Sequence, residues 1–524
     1  MSTTVVRPSD PELGASIRLA GIFGVFILLF HVAANLYEAH IGYGYFRDEM
    51  YYLICGRRLA WGYVDHGPLV ALQARASETL FGHSLAGLRL LSGLAGAMRV
   101  FLTGVLAWSL GGRRPAQGLA MICVAVAPQY LGTDSVLSMN SVESMFWMTC
   151  LLALILMERG GSSRYWLLFG ASAGLGLLNK PSMTFFLLAL LVALLLTPQR
   201  QLFRTRYAIA GTVILLVIAL PNLVWQVQNH WPTFEFLRNG QLEHKVKSLS
   251  APAFLLQQVL NLNPISLLVW GAGLVFLLRQ KAWRWLGLTY LLFVLGMFAM
   301  HAKDYYVAPV YPILFAAGGV AWERRFAMRQ RVQYGGWFAF PIVQTTLLAT
   351  GLLFLPMSNP LLTPAQWIIY AKALHLYDSS SNAESASSGV LPQFYADRFG
   401  WQEEVDDITR IYRSLSPEDR KRVVLLCDNY GEASAINFLG RGLPNAISGQ
   451  NNYWLWGPGQ QSGDVVILIE DTTPEHLHLF FDQVEIAGKT GTTYSMPFEH
   501  KNIFLLRGPY QAIASLWPRK KDYI

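Results

Sequence analysis

Hydrophobic residues in this chain fall into long unbroken runs rather than the alternation of a half-buried strand or the stripe of an amphipathic helix. Stretches such as "SLAGLRLLSGLAGAMRVFLTGVLAWSL" and "MTFFLLALLVALLLTP" have the apolar length, about 20 residues, that a helix needs to cross a hydrocarbon layer. Runs of this kind predict spans at about 17–36, 85–110, 116–132, 142–157, 165–178, 182–197, 207–225, 254–278, 284–300, 305–321 and 336–356. That is about eleven, and the short fifth and sixth also read as one broken hairpin. The first run, Ile17 to Ala34, sits where a signal sequence would. No small-residue cleavage site follows it and further spans come after, so it reads as a retained first helix.

The polar segments between these runs are of two kinds. "GGRRP", "ERGGSSR", "TPQRQLFRTR", "RQKAWR" and "WERRFAMRQR" are short and basic, which assigns them, with the N-terminus, to the cytoplasm. The alternate connections then face outward: 37–84, 132–141, the turn 179–181, 226–253, 301–304 and everything after about residue 356. The first of these carries two amphipathic stretches, "DEMYYLICGRRLAWG" and "GPLVALQARASETLFG", which read as helices lying in the headgroup region. Past residue 356 the apolar runs shorten, and "DSSSNAESASSG" reads as a linker or exposed loop. "RVVLLC", "DVVILIE" and "NIFLLRG" then read as strands, and "PEDRKR" and "YGEASAINFLG" as helices. The predicted fold is therefore mainly α: a polytopic membrane helix bundle over 1–356 with a C-terminal mixed α/β extracytoplasmic domain over 357–524.

Composition changes the picture in one respect. With 53% hydrophobic residues, 14% charged residues and a mean hydropathy of +0.32, a chain this long is one membrane protein rather than several soluble domains. In such a protein the placement of positive charge matters more than its sum, so the net charge of +8 does not point to a nucleic-acid partner. The four cysteines are scattered, with no CxxC spacing, and read as apolar filler.

Almost every unusual polar residue falls on the predicted outer face. Asp48 and Glu49 open the first outer loop in "GYGYFRDEMYY", among aromatics and next to a membrane segment, where a carboxylate is costly unless solvated, paired or functional. A helix N-cap explains such a pair equally well. Asp65 and His66 follow in "YVDHGPL", and Asp134, Asn140 and Glu143 in the second outer loop, where capping also accounts for Asn140 and Glu143. Lys180 in "LNKPS" and Lys303 in "HAKDYYVAPVYP" read either as snorkelling anchors or as cations at membrane depth. Arg89 lies about one turn into an apolar span, where it requires an anion, from Asp48, Glu49 or Glu143 or from a lipid phosphate. Carboxylates able to activate a hydroxyl, together with cations able to hold a departing phosphate, suit glycosyl transfer from a lipid-phosphate sugar. A transporter or flippase of lipid-linked sugars is the alternative, although no internal repeat is visible.

The ordered series "RDEMYY", "YVDHGPL", "GLRLLSGLAG", "TDSVLSMNSVESMFW", "GLGLLNKPSM" and "KDYYVAPVYPIL" resembles the bacterial family 39 glycosyltransferases. These are relatives of the protein O-mannosyltransferases and of the aminoarabinose transferases that modify lipid A, all of the membrane GT-C class. The likeness spans about residues 15–330. It implies inverting transfer from a polyprenyl-phosphate-linked monosaccharide to a glycolipid, glycan or protein acceptor, in the plasma membrane and with no nucleotide sugar. No GxGxxG or P-loop occurs, consistent with that. The resemblance makes Asp48 the general base and Glu49 a residue that shapes the site. Arg89, Lys303 and Lys180 would contact the donor phosphate. Asp65 and His66 match a "DHPP" loop that here reads Asp-His-Gly-Pro, and Tyr305 and Tyr306 flank the basic segment. A divalent metal near Glu143 or His301 stays open. In the outer domain, "NNYWLWGPG" reads either as a stacking surface for a sugar or as packing.

Overall fold

The computed structural model describes residues 11–243, 249–330, 339–376, 389–460 and 462–524. The first ten residues and the linker "DSSSNAESASSG" up to Ser388 lie outside the described residues, as does the end of the basic stretch "WERRFAMRQR". The chain divides into two compact units, one of 1–37, 86–224 and 248–361, the other of 38–85, 225–247 and 362–524.

The first unit is helical, and each predicted span has helix at its position. Six helices among the described residues are long and apolar enough to cross a membrane: Leu13–His40, Leu85–Ser109, Met139–Glu158, Arg206–Gln228, Asp304–Phe326 and Phe340–Ser358. The chain is thus a multi-pass membrane protein. The span predicted at 254–278 is instead two helices, Ala251–Asn261 and Pro264–Arg279, bent by 104°. Pro264 has no N–H to continue the first helix, and Asn263, at φ 71°, caps the next turn by accepting from the Ile265 N–H at 3.2 Å. The predicted span 116–132 also breaks, into Arg114–Ala125 and Pro128–Asp134, again at a proline. Ser182–Leu195 and Arg284–Ala299 are apolar but shorter. Conversely, the basic stretch from Trp322 continues the helix Tyr311–Gln330, because arginine and glutamate are good helix formers and charge ends membrane burial without ending a helix.

Close helix approach in this unit rests on glycine. A methyl on Gly170 would overlap the backbone of Gly211, and one on Gly273 would overlap the Leu314 carbonyl, so these pairs of helices pack backbone to backbone. Arg206–Gln228 and Phe340–Ser358 bury little of their length and show rows of Leu, Val and Ile outward, as lipid-facing helices do.

The second unit is α/β. Its sheet has the order β2-β1-β3-β5-β4, with β1 (Val423–Cys427) parallel to β2 (Ala446–Ser448) and β3 (Val465–Glu470), and β5 (Asn502–Pro509) antiparallel to β3 and β4 (Phe481–Lys489). The predicted strands are β1, β3 and β5. β1 is buried along its whole length, as a strand covered on both faces should be. One face packs Val424, Val466, Phe504 and Leu506 against Trp517 and Ile513. The two stretches expected in the headgroup region form helices Arg47–Arg57 and Pro68–Phe81 within this unit. Glu49 through Gly56 are all buried, and the first helix packs on the second and on Tyr430–Leu439. Tyr51 and Tyr52 are therefore core residues.

Candidate active site

Two adjacent acids open the helix Arg47–Arg57 and do different work. Glu49 is fully buried, and its carboxylate reaches back to accept from the Phe46 N–H at 2.9 Å, a reverse cap on one of the orphan donors of a helix start. Asp48, about 100° further round the helix, keeps 33% of its side chain exposed. Its Oδ1 accepts from the Tyr430 hydroxyl at 2.7 Å and lies 3.8 Å from Arg47 Nε. Among the described residues no hydrogen bond or ion pair reaches Oδ2.

Tyr430 is placed by its own helix start. Asn429 caps Tyr430–Leu439, its side-chain oxygen accepting from the Gly431 N–H at 2.8 Å and the Glu432 N–H at 3.1 Å. A methyl on Gly431 would meet the Arg47 stem at 2.6 Å, so glycine lets Arg47 pass beneath. The Arg47 guanidinium lies over the rings of Tyr430 (5.4 Å) and Phe498 (5.7 Å) and 3.9 Å from Glu499.

Asp65 and His66 stand on the other side of Tyr51. The Tyr51 hydroxyl donates to Asp65 Oδ1 at 2.9 Å, and its ring lies 4.7 Å from that of Tyr430. Desolvation raises the Asp65 carboxyl above the usual carboxylate range, with His66 and the Tyr51 hydrogen bond opposing it. His66 is buried, stacked on Tyr63 at 4.5 Å, with Nδ1 donating to the Gly67 carbonyl at 2.8 Å. The loop is pinned by the Val64 N–H, which donates to Asn452 at 2.6 Å. In "NNYWLWGPG", Asn452 and Tyr453 are buried, and Trp454 and Trp517 exchange indole-to-carbonyl bonds at 3.0 Å, so packing accounts for those residues.

Behind Arg47 lies a charged cluster that sequence reading missed, buried except at Asp428. Lys501 Nζ is 2.7 Å from both Asp428 and Glu432, and Asn429 donates to Glu499 at 3.3 Å. Burial raises the Glu404 carboxyl well above its ordinary value, with Glu432 and Glu499 adding repulsion.

The first unit gathers five of the predicted residues. Lys180 Nζ donates to Asn140 at 2.7 Å, lies 3.2 Å from Glu143, and sits 4.2 Å from the Tyr306 ring centre and 5.7 Å from that of Tyr305. The other Glu143 oxygen accepts from the Ser182 hydroxyl. Asp134 lies outside this group. It is paired bidentately with Arg99, at 2.8 and 3.0 Å, and Arg99 also donates to the Ser141 carbonyl at 2.7 Å. Arg89 is fully buried within Leu85–Ser109. Lys303 accepts through its carbonyl from the Tyr306 N–H at 3.0 Å, and His301, exposed and at φ 52°, turns the chain into that segment. Among the described residues no three His, Cys, Asp or Glu side chains form a group that could hold a metal ion.

Residues 65–225 match the family described as dolichyl-phosphate-mannose-protein mannosyltransferase. Over 191 residues the chain is 28% identical to the lipid A galacturonosyltransferase RgtD of Rhizobium johnstonii, a match covering 35% of this chain and 39% of that protein. The fold resembles two crystal structures of ArnT from Cupriavidus metallidurans, one bound to undecaprenyl phosphate and one in the apo state. Both give a TM-score of 0.61 and cover 92% of this chain and 97% of that one, at 16% and 17% identity. The resemblance read from the sequence is borne out: the chain is similar to these glycosyltransferases over the matched segments and shares the fold of the ArnT structures.

Proposed function

We propose that this protein is an inverting glycosyltransferase of the inner membrane that moves a monosaccharide from a polyprenyl-phosphate donor to a glycolipid of the lipid A type. The observation that carries the proposal is Asp48, a partly exposed carboxylate whose Oδ1 is held by Tyr430 and whose Oδ2 is left to take a proton. The acceptor hydroxyl gives its proton to Oδ2 as its oxygen bonds to the sugar anomeric carbon. The bond from that carbon to the phosphate oxygen breaks, and polyprenyl phosphate departs with the electron pair. Arg89 and Lys303 are assigned to the leaving phosphate, whose growing charge they stabilise. Lys180 shares that role less fully, because Glu143 already neutralises it at 3.2 Å. In this reading about eleven segments cross, the bent pair Ala251–Asn261 and Pro264–Arg279 counted as one of them, the N-terminus is cytoplasmic, and residues 357–524 form the extracytoplasmic domain.

The matched relatives are named as transferases, which favours transfer over a flippase reading. The test uses purified protein in lipid, a polyprenyl-phosphate sugar and a glycolipid acceptor. Asp48→Asn keeps the side-chain volume and removes the base, so transfer should fall by about 10²- to 10⁴-fold while donor binding persists. Undiminished turnover would remove Asp48 from the mechanism.

A further inference from the structure

A second polar site lies in the α/β unit at the carboxyl ends of its parallel strands. β1 is flanked by β2 on one side and β3 on the other, and the chain leaving β1 turns toward β2 while that leaving β3 turns toward β4. No connection crosses between the ends of β1 and β3, and sheets of this kind open their ligand crevices at such a point. Here the crevice has a volume of about 180 Å³, room for a single sugar-sized group. Asp428 lines it from the end of β1, Gly449 from the end of β2 and Glu470 from the end of β3, with Arg519, Lys520 and Asp522 contributed by the C-terminal segment.

That segment is fixed against the crevice. The Asp522 N–H donates to the Gly449 carbonyl at 2.9 Å, and the Asn451 N–H donates to the Asp522 carbonyl at 2.8 Å. A side chain at Gly449 would overlap the Lys520 carbonyl, so the close approach depends on glycine. Most of the charged groups are paired. Lys501 holds Asp428 at 2.7 Å, Gln450 donates to Asp522 at 3.2 Å, and Lys520 lies 3.3 Å from Glu470. Arg519 is exposed, and among the described residues it makes no hydrogen bond or ion pair.

Carboxylates accept from vicinal hydroxyls, and an arginine fork matches the oxygens of a phosphate or carboxylate. A ring holding both, with little apolar lining beyond Leu426 and Cys427, selects a polyhydroxylated and anionic ligand. We propose that this crevice binds a sugar bearing a phosphate or carboxylate, and that, resting on the function proposed above, this sugar is a unit of the acceptor glycan. The loop after β1 relates the two sites: Asp428 lines the crevice, and Tyr430, two residues on, holds Asp48.

The test measures binding of glucose 6-phosphate, glucuronate, glucose and inorganic phosphate to the full chain in lipid nanodiscs, with no donor present, by ligand-observed NMR. Either charged sugar should bind at least about tenfold more tightly than glucose or phosphate, and the double variant Arg519→Glu/Lys520→Glu should lose about tenfold or more of that affinity. Equal binding of glucose overturns the anion assignment, equal binding of inorganic phosphate overturns the sugar assignment, and an unchanged variant overturns the site. In transfer assays the variant should raise KM for the glycolipid and leave kcat and donor KM unchanged; an unchanged acceptor KM overturns the acceptor role. Charged sugars that bind to a wild-type protein transferring to no acceptor would refute the proposed function and leave the crevice standing.

Discussion

The pairing of Arg99 with Asp134 decides whether Asp134 belongs to the chemistry or to the scaffold. Both side chains are buried, at 1% and 3% exposure. The guanidinium spends two donors on the carboxylate and one on the Ser141 carbonyl, and its face lies 4.5 Å from the centre of the Tyr130 ring. His31 Nε2 is 3.8 Å from the same carboxylate. Asp134→Asn leaves a buried cation with one carbonyl and an aromatic face; Arg99→Met leaves a buried carboxylate facing histidine. Each single change should cost about 3–5 kcal/mol, the penalty of an uncompensated buried charge. The double variant removes both charges and should return to within about 1–2 kcal/mol of the wild type. Asparagine is the right partner in that variant because the Asp134 carboxylate lies against Gly96, where even a methyl would overlap it, so a bulkier apolar residue would add strain. Unfolding of the purified protein in mixed micelles gives the three stabilities, and transfer at a permissive temperature gives the activity. Singles costing under about 1 kcal/mol, or a double no better than the worse single, would refute the pair as a structural element. A double variant that is stable but inactive would place Asp134 in the substrate site.

Two further outcomes follow from the α/β unit. Tyr430→Phe deletes the hydroxyl that fixes Asp48 Oδ1 at 2.7 Å; a charge-assisted bond of about 1.5–3 kcal/mol should appear as a loss of about 10- to 100-fold in kcat, with donor affinity measured separately and unchanged. Glu404 has its carboxyl raised by burial, so its stabilising contribution is fully present below the ordinary carboxylate range and is lost as pH rises above it. Glu404→Gln, which needs no proton to stay neutral, should flatten the fall in stability from about pH 5 upward by up to about 1.4 kcal/mol per pH unit, read from urea unfolding at several pH values. An unchanged slope would show that Glu404 does not carry that proton.

Much of the bundle was legible because a membrane span is a composition before it is a structure: a run of about 20 apolar residues announces itself whatever it packs against. What composition could not show was where the backbone breaks inside an apolar run, at Asn263 and Ala127, since a proline in such a run is compatible with a kinked span. β4 was missed for the opposite reason: its edge pattern exposes Asp482, Gln483 and Glu485, and reads as a loop. Among site residues, Asn140 and Glu143 are three apart and so share a helix face, which made their joint use of Lys180 foreseeable. Arg99 was hidden inside "GLAGAMRVFL", although a charge at that depth is itself a signal that an acid must be near. The partner of Asp48 carried no signal of that kind, because Tyr430 lies 382 residues away and no periodicity connects them.

The two adjacent acids Asp48 and Glu49 are held in different surroundings. At a helix start the third helical residue is the one whose side chain can curl back to an orphan N–H, and Glu49 occupies that position, with both the reach and the charge to fill it. Once that oxygen is committed there and the side chain is buried, Glu49 lacks the exposure that proton transfer from a bulky acceptor demands. The residue before it cannot make that bond, and helical rotation turns it toward Tyr430 and solvent instead. The same few residues therefore fix the helix with one acid and present the other, so the orientation of the proposed base depends on the cap beside it.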